Sequence, residues 1–128
     1  MAGSASRWRS LLFVPANKPE LAIKAARSGT DVVVRRQGDR AIETALDAIQ
    51  RADDAYENAD RRPRIEHAGF PTSEQLTRMA GMGVMTINQP SYIYEMGDQF
   101  IADFGERVHA LQPWRDELEA GVRVVISS

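Results

Sequence analysis

The sequence of 128 residues contains no cysteine and only two histidines, His67 and His109. The absence of cysteine excludes disulfide bonds, thiolate nucleophiles and zinc fingers. The apolar run Leu11–Val14 ends at Pro15 and is too short for a secretory signal or for the ~20 residues of a membrane-spanning helix. We therefore expect a cytoplasmic protein that has no membrane as a partner.

The charge is also nearly balanced, with 16 basic and 18 acidic side chains and a formal net charge of −2. Such a balance provides no general attraction to a phosphate backbone, so no nucleic acid is expected as a partner. The 43% of hydrophobic and 27% of charged residues are ordinary for a folded protein, and the length suits one domain. We predict a single α/β domain over residues 1–128.

Short apolar runs alternate along the chain with segments of helical periodicity. Strands are predicted at Leu11–Val14, Asp31–Val34, Arg64–Ala68, Val84–Ile87 and Val122–Ile126, and helices at Asn17–Ser28, from Asp39, from Thr72 and at Tyr94–Ala110. Strands that alternate with helices favour a parallel sheet with right-handed connections. The predicted fold class is α/β, a partial (β/α) barrel of about five parallel strands alternating with helices.

Four motifs in the larger part of the chain carry a family resemblance. They are Gly38-Asp39-Arg40-Ala41, Arg64-Ile-Glu-His-Ala68, Gln89-Pro90 and Gly121-Val-Arg-Val-Val-Ile-Ser-Ser128. With these motifs, residues 37–128 resemble the C-terminal part of a metal-dependent amidohydrolase of the formamide deformylase-like branch. The resemblance implies a (β/α)8 barrel with a divalent metal, zinc or similar, at the carboxyl ends of its strands.

The residue-by-residue match implies one metal ligand. His67 matches the metal-binding histidine at the end of the family's sixth strand, whereas the histidine of the fifth strand falls on Arg35. The H-x-H pair of the first strand has no counterpart, and the catalytic aspartate would follow Ser128. A catalytic zinc needs about three protein ligands, and a guanidinium cannot serve as one. The hypothesis that no metal is bound therefore stays open, and the catalytic and substrate-binding residues stay unknown.

A second resemblance concerns the start of the chain. Residues 9–34, RSLLFVPANKPELAIKAARSGTDVVV, resemble the opening of the citrate lyase beta-subunit-like family. The domain is therefore interpreted as a β-α-β unit of that type (residues 1–34) followed by amidohydrolase-like barrel units (residues 35–128). This interpretation makes the chain a truncation or fusion of two barrel-fold ancestors.

Three hypotheses for function follow. The first is an amidohydrolase-like fragment that resembles hydrolases of amide-type C–N bonds, takes a small-molecule substrate and is inactive alone because most metal ligands are missing. The second is a citrate lyase beta-subunit-like C–C lyase that acts on a CoA ester. The third is a non-catalytic α/β module that forms a homo-oligomer through open sheet edges.

Overall fold

A computed structural model describes residues 11–15, 20, 24, 31–35, 38–55 and 62–127. The strands are β1 (Leu11–Pro15), β2 (Asp31–Arg35), β3 (Arg64–Glu66), β4 (Met85–Asn88) and β5 (Arg123–Ile126). The helices are α1 (Asp39–Ala55), α2 (Ser73–Met82), α3 (Pro90–Phe104) and α4 (Trp114–Glu119), and a 3₁₀ helix spans Gly105–Ala110. The helix predicted at Asn17–Ser28 lies outside the described residues except for Glu20 and Lys24, which are helical.

The strands form one sheet in which every described pair is parallel. Their order in the sheet is β1-β2-β3-β4-β5, so each strand pairs with its neighbours in the chain. Parallel neighbours require a crossover connection, and helices supply it between β2 and β5. The predicted α/β class, with parallel strands that alternate with helices, is confirmed.

The hydrophobic core lies between the sheet and the helices α1 and α2. Ile42, Leu46 and Ile49 recur on one face of α1 and are at most 4% exposed, as a 3.6-residue period requires. They belong to one cluster with Ile65 of β3 and Met79 of α2. This packing fixes α1 and α2 side by side on the same face of the sheet.

Helix α2, predicted from Thr72, is capped at both ends. The Thr72 hydroxyl accepts a hydrogen bond from the Gln75 amide, and the Gln75 side chain accepts one from the Thr72 amide, which completes a capping box. The same Gln75 side chain donates to the Asp39 carbonyl and to the Glu43 carboxylate of α1. Gly83 ends the helix with φ 66°, a conformation that favours glycine.

The structure differs from the sequence prediction by more than one residue at three places. Strand β3 ends at Glu66 rather than Ala68, because His67 turns the backbone with φ 56°. The helix expected at Tyr94–Ala110 begins earlier, at Pro90, and gives way to the 3₁₀ helix at Gly105, whose φ is 54°. Helix α4 was not predicted, because its six residues are too few to show a helical period.

The two faces of the sheet differ in burial. Ile65, Thr86 and Asn88 point to the helices and are buried, whereas the alternate positions Met85 and Val125 lie on the opposite face and are more exposed. Among the described residues, helices α1, α2 and α4 therefore cover one face of the sheet.

Leucine truncation tests this account of the core. Leu46 is 0% exposed and Leu118 is 62% exposed, and both lie in helices. We expect Leu46→Ala to lower the free energy of unfolding by about 2–5 kcal/mol, because it removes packed methyl groups and leaves a cavity. Leu118→Ala should change it by no more than about 0.5 kcal/mol. Urea denaturation measures both, and equal losses would contradict the described core.

Candidate functional site

The carboxyl ends of the strands bring the sequence motifs together. Arg35 ends β2 in register with Glu66, which ends β3 and is followed directly by His67. Beside them, Asn88 ends β4, and its carbonyl accepts a hydrogen bond of 2.9 Å from the Ser127 amide after β5. Because all these strands are parallel, their carboxyl ends lie at one edge of the sheet, where (β/α) folds place their chemistry.

His67 is held in a turn rather than on a strand. Its backbone φ of 56° lies in the left-handed region, which is uncommon outside glycine. Its amide donates to the Ile87 carbonyl at 3.0 Å, and its ring is 7% exposed. The predicted strand Arg64–Ala68 would have placed the Glu66 and His67 side chains on opposite faces of the sheet. Because β3 ends at Glu66, this alternation does not apply to the pair.

An aromatic ring packs against His67. The Tyr92 ring, in the first turns of α3, meets the imidazole edge-to-face, with 5.2 Å between ring centroids and 79° between planes. Such T-shaped contacts are favoured by the opposite charge of a ring edge and a ring face. The contact therefore restricts the orientation of the imidazole at the end of β3.

The second histidine of the sequence does not join His67. His109 lies on the 3₁₀ helix, its side chain is 81% exposed, and its Nε2 is 3.9 Å from the Glu106 carboxylate. No group of three or more histidine, aspartate or glutamate side chains able to hold a metal ion occurs in the part of the chain that the structure describes. The donors of the described residues therefore do not supply the roughly three protein ligands of a catalytic zinc.

A buried carboxyl group near the same strand ends was missed by the sequence analysis. Glu117 of α4 is 0% exposed. One of its oxygens accepts hydrogen bonds from the Thr86 hydroxyl at 2.7 Å and from the Asn88 amide at 2.9 Å. Burial raises the pKa of Glu117 above its ordinary value, and these two hydrogen bonds oppose the shift.

No sequence signal marked this group. Thr86 and Asn88 alternate with Met85 and Ile87 along β4, a pattern that ordinarily places the polar side chains in water. In the structure the polar positions are the buried ones, because Glu117 accepts their hydrogen bonds. The alternation of polar and apolar residues along β4 is visible in the sequence. Which face of the strand is buried, however, depends on Glu117, about 30 residues away.

Comparison with known proteins explains the motifs at the strand ends. The model of the amidohydrolase family matches residues 13–128. The chain belongs to this family. It is 34% identical over 111 residues to an N-substituted formamide deformylase of Arthrobacter pascens, with 85% of this chain and 20% of that protein covered.

Solved structures agree with the sequence comparison. Uncharacterized metal-dependent hydrolases of Pyrococcus furiosus and Pyrococcus horikoshii OT3 both match with a TM-score of 0.68, at 27% and 25% identity. The matches cover 90% of this chain, but only 23% and 22% of those chains. The chain therefore spans about a fifth of the length of the relatives that it matches.

The comparisons also bear on the other sequence interpretations. The resemblance of residues 9–34 to the citrate lyase beta-subunit-like family is unsupported, because the amidohydrolase match extends back to residue 13. The chemistry that the family name implies is metal-dependent hydrolysis. Among the described helices, none combines the length and the apolarity needed to cross a membrane.

The contact between His67 and Tyr92 can be tested by NMR. We expect Tyr92→Leu to shift the imidazole resonances of His67, because the edge-to-face ring is lost. The resonances of His109 provide an internal reference, since that exposed side chain is paired with Glu106 rather than with a ring. Tyr94→Leu is the matched control, because Tyr94 is 93% exposed. Equal shifts from both variants would contradict the described contact.

Proposed function

We propose that this chain is a segment of a metal-dependent hydrolase of amide-type C–N bonds, with His67 at a metal-ligand position. The observation that carries the proposal is the buried imidazole in a constrained turn directly after β3. The family match and the identity with a formamide deformylase support the class of bond, and the bond class implies a small-molecule substrate.

The proposal also includes a shortage of metal ligands beside His67. Arg35, which ends the strand beside β3, stands where the family resemblance implies a second histidine. A guanidinium stays charged at all ordinary pH values, so it repels a cation instead of donating a lone pair to it. With one imidazole and no companion set, we infer that the chain alone does not hydrolyse amides, and no catalytic step is assigned to its residues.

The strand order supports a partial (β/α) barrel as the architecture. In a doubly wound sheet the strand order reverses at a switch point, whereas here it follows the chain from β1 to β5. Right-handed crossovers in a constant direction place every connecting helix on the same face, as in a barrel. We infer one α/β domain over residues 1–128 that acts in the cytoplasm; the family match from residue 13 onward gives no support to separate units at 1–34 and 35–128.

Metal titration of the purified chain tests the role of His67. By calorimetry, we expect no stoichiometric binding of Zn²⁺ to the unaltered chain and no turnover of an N-substituted formamide. Arg35→His introduces a second imidazole at the end of the neighbouring strand, so that variant should bind Zn²⁺ measurably, although two imidazoles do not complete the roughly three protein ligands of a catalytic site. Adding His67→Asn should abolish this binding, while asparagine still tolerates the left-handed backbone.

A matched control separates a local effect from a general one. Arg115→His makes the same exchange on an exposed position of α4, and it should leave the titration unchanged. Zn²⁺ binding by Arg35→His that persists without His67 would disprove the assignment of His67. Turnover of the formamide by the unaltered chain would disprove the inferred inactivity.

A second candidate function is self-association without catalysis. It is favoured by β5, whose Val125 and Ile126 are 38% and 57% exposed and which has a single partner strand among the described residues. An unpaired apolar edge strand is a site for pairing with another chain.

Light scattering after size exclusion tests this alternative. A homo-oligomer paired through β5 should dissociate when Val125→Lys places a charge in the apolar edge. Arg123→Lys, on the same strand, retains the charge and should leave the mass unchanged. A monodisperse monomer over the accessible range of protein concentration would contradict self-association.

A further inference from the structure

The contact between α4 and β4 is polar, although it lies inside the protein. Glu117, Thr86 and Asn88 are each 0% exposed, and together they form what we call the Glu117 cluster. Within it, one Glu117 oxygen accepts from the Thr86 hydroxyl and from the Asn88 amide, and the Asn88 amide lies 3.5 Å from the Thr86 hydroxyl.

The Glu117 cluster contains more acceptors than donors. The second oxygen of Glu117, Oε1, and the amide oxygen of Asn88, Oδ1, are both buried without a hydrogen-bond donor. The hydroxyl and amide donors of the cluster already point to the other carboxyl oxygen. A buried acceptor without a donor costs free energy, and a buried charge costs considerably more. A proton on Oε1 would remove the charge and would add a donor to the cluster.

The arginines of the elements that pack against α4 contact other groups and not Glu117. Helix α4 packs on β5 and α2. Arg123 of β5 contacts the Met85 sulfur on the opposite face of the sheet, and Arg78 of α2 pairs with Glu43 and Asp47 of α1. No cation among these groups therefore stabilises an ionised Glu117.

The remaining charged groups also lie away from the cluster. Strand β4 carries no titratable side chain. The others on neighbouring elements are Arg64 and Glu66 on the opposite face of β3, His67 against Tyr92, the exposed Glu74 of α2, and the exposed Arg115, Asp116 and Glu119 of α4 itself.

We propose that Glu117 is protonated in the folded protein and that its neutral carboxyl group joins α4 to the end of β4 as a pH-sensitive device. Loss of the proton leaves a carboxylate that accepts from two neutral donors and that has no cationic partner among the described residues. The device acts on the strand ends, because Asn88 both donates to Glu117 and, through its carbonyl, accepts from the Ser127 amide.

The direction of the pH effect follows from the raised pKa of Glu117. Glutamate in the unfolded chain has a pKa of about 4.3, and burial raises the pKa in the folded chain. The contribution of Glu117 to the free energy of unfolding is therefore complete at pH values below its pKa in the unfolded chain. It is lost as the pH rises through the pKa of Glu117 in the folded chain. Alkaline conditions, rather than acid, should weaken the contact between α4 and β4.

Urea denaturation across a pH series tests the proposal. We expect Glu117→Gln, which cannot ionise, to unfold at a higher urea concentration than the unaltered chain at pH 8.5. The midpoint should differ by about 0.5–1 M for each unit by which the pKa is raised, and the difference should vanish towards pH 4.5. Glu119→Gln removes the same charge from an exposed position of the same helix. The difference in urea midpoint between this variant and the unaltered chain should not grow with pH.

Carbon-13 NMR of the glutamate carboxyl groups gives a second measurement on the unaltered chain, which does not depend on the folding of a variant. One carboxyl resonance should titrate well above the others, and Glu117→Gln should remove it. A Glu117 resonance that titrates with the exposed glutamates would overturn the proposal. So would a Glu117→Gln variant destabilised equally at every pH, or Ca²⁺ stabilising the unaltered chain at pH 8.5 but not Glu117→Gln, since a cation would then occupy the proton's place.

Discussion

The parallel pairing of each strand with its neighbour in the chain is the constraint on which this structure depends. It forces a crossover at every step, and crossovers of constant hand place the helices on one face of the sheet. The core cluster of α1, α2 and β3 lies on that face. The same pairing aligns the carboxyl ends of the strands, so that Arg35, His67 and Asn88 come to one edge although 53 positions separate the first from the last.

Patterns that depend on neighbouring residues could be predicted from the sequence. The helices predicted from Asp39 and from Thr72 begin within one residue of those positions. Features that depend on distant partners could not be predicted. The left-handed turn at His67 has no residue signature, and Glu117 resembles the solvated acids on either side of it until Thr86 and Asn88 are placed beneath it.

The candidate site combines a position proposed for a metal ligand, that of His67, with a chemical setting that supplies few other ligands. His67 is buried and oriented by Tyr92, as a ligand has to be if it is to hold one geometry. The neighbouring strand, however, ends in an arginine, a difference that the residue-by-residue match already indicated. The carboxyl group buried nearest to the strand ends, Glu117, is directed to the helix side of the sheet and is engaged by Thr86 and Asn88. Family membership and the chemistry of the individual residues therefore have to be argued separately.

The double use of Gln75 has a consequence for how the protein assembles. One side chain closes the cap of α2 and also reaches the backbone and a carboxylate of α1, 36 and 32 positions earlier in the chain. The first turn of α2 is therefore not autonomous, because detachment of α1 would leave the Gln75 amide without its acceptors. Nucleation of one helix and docking of the other become a single cooperative event, and a partly folded species with only α2 in place lacks this source of stability.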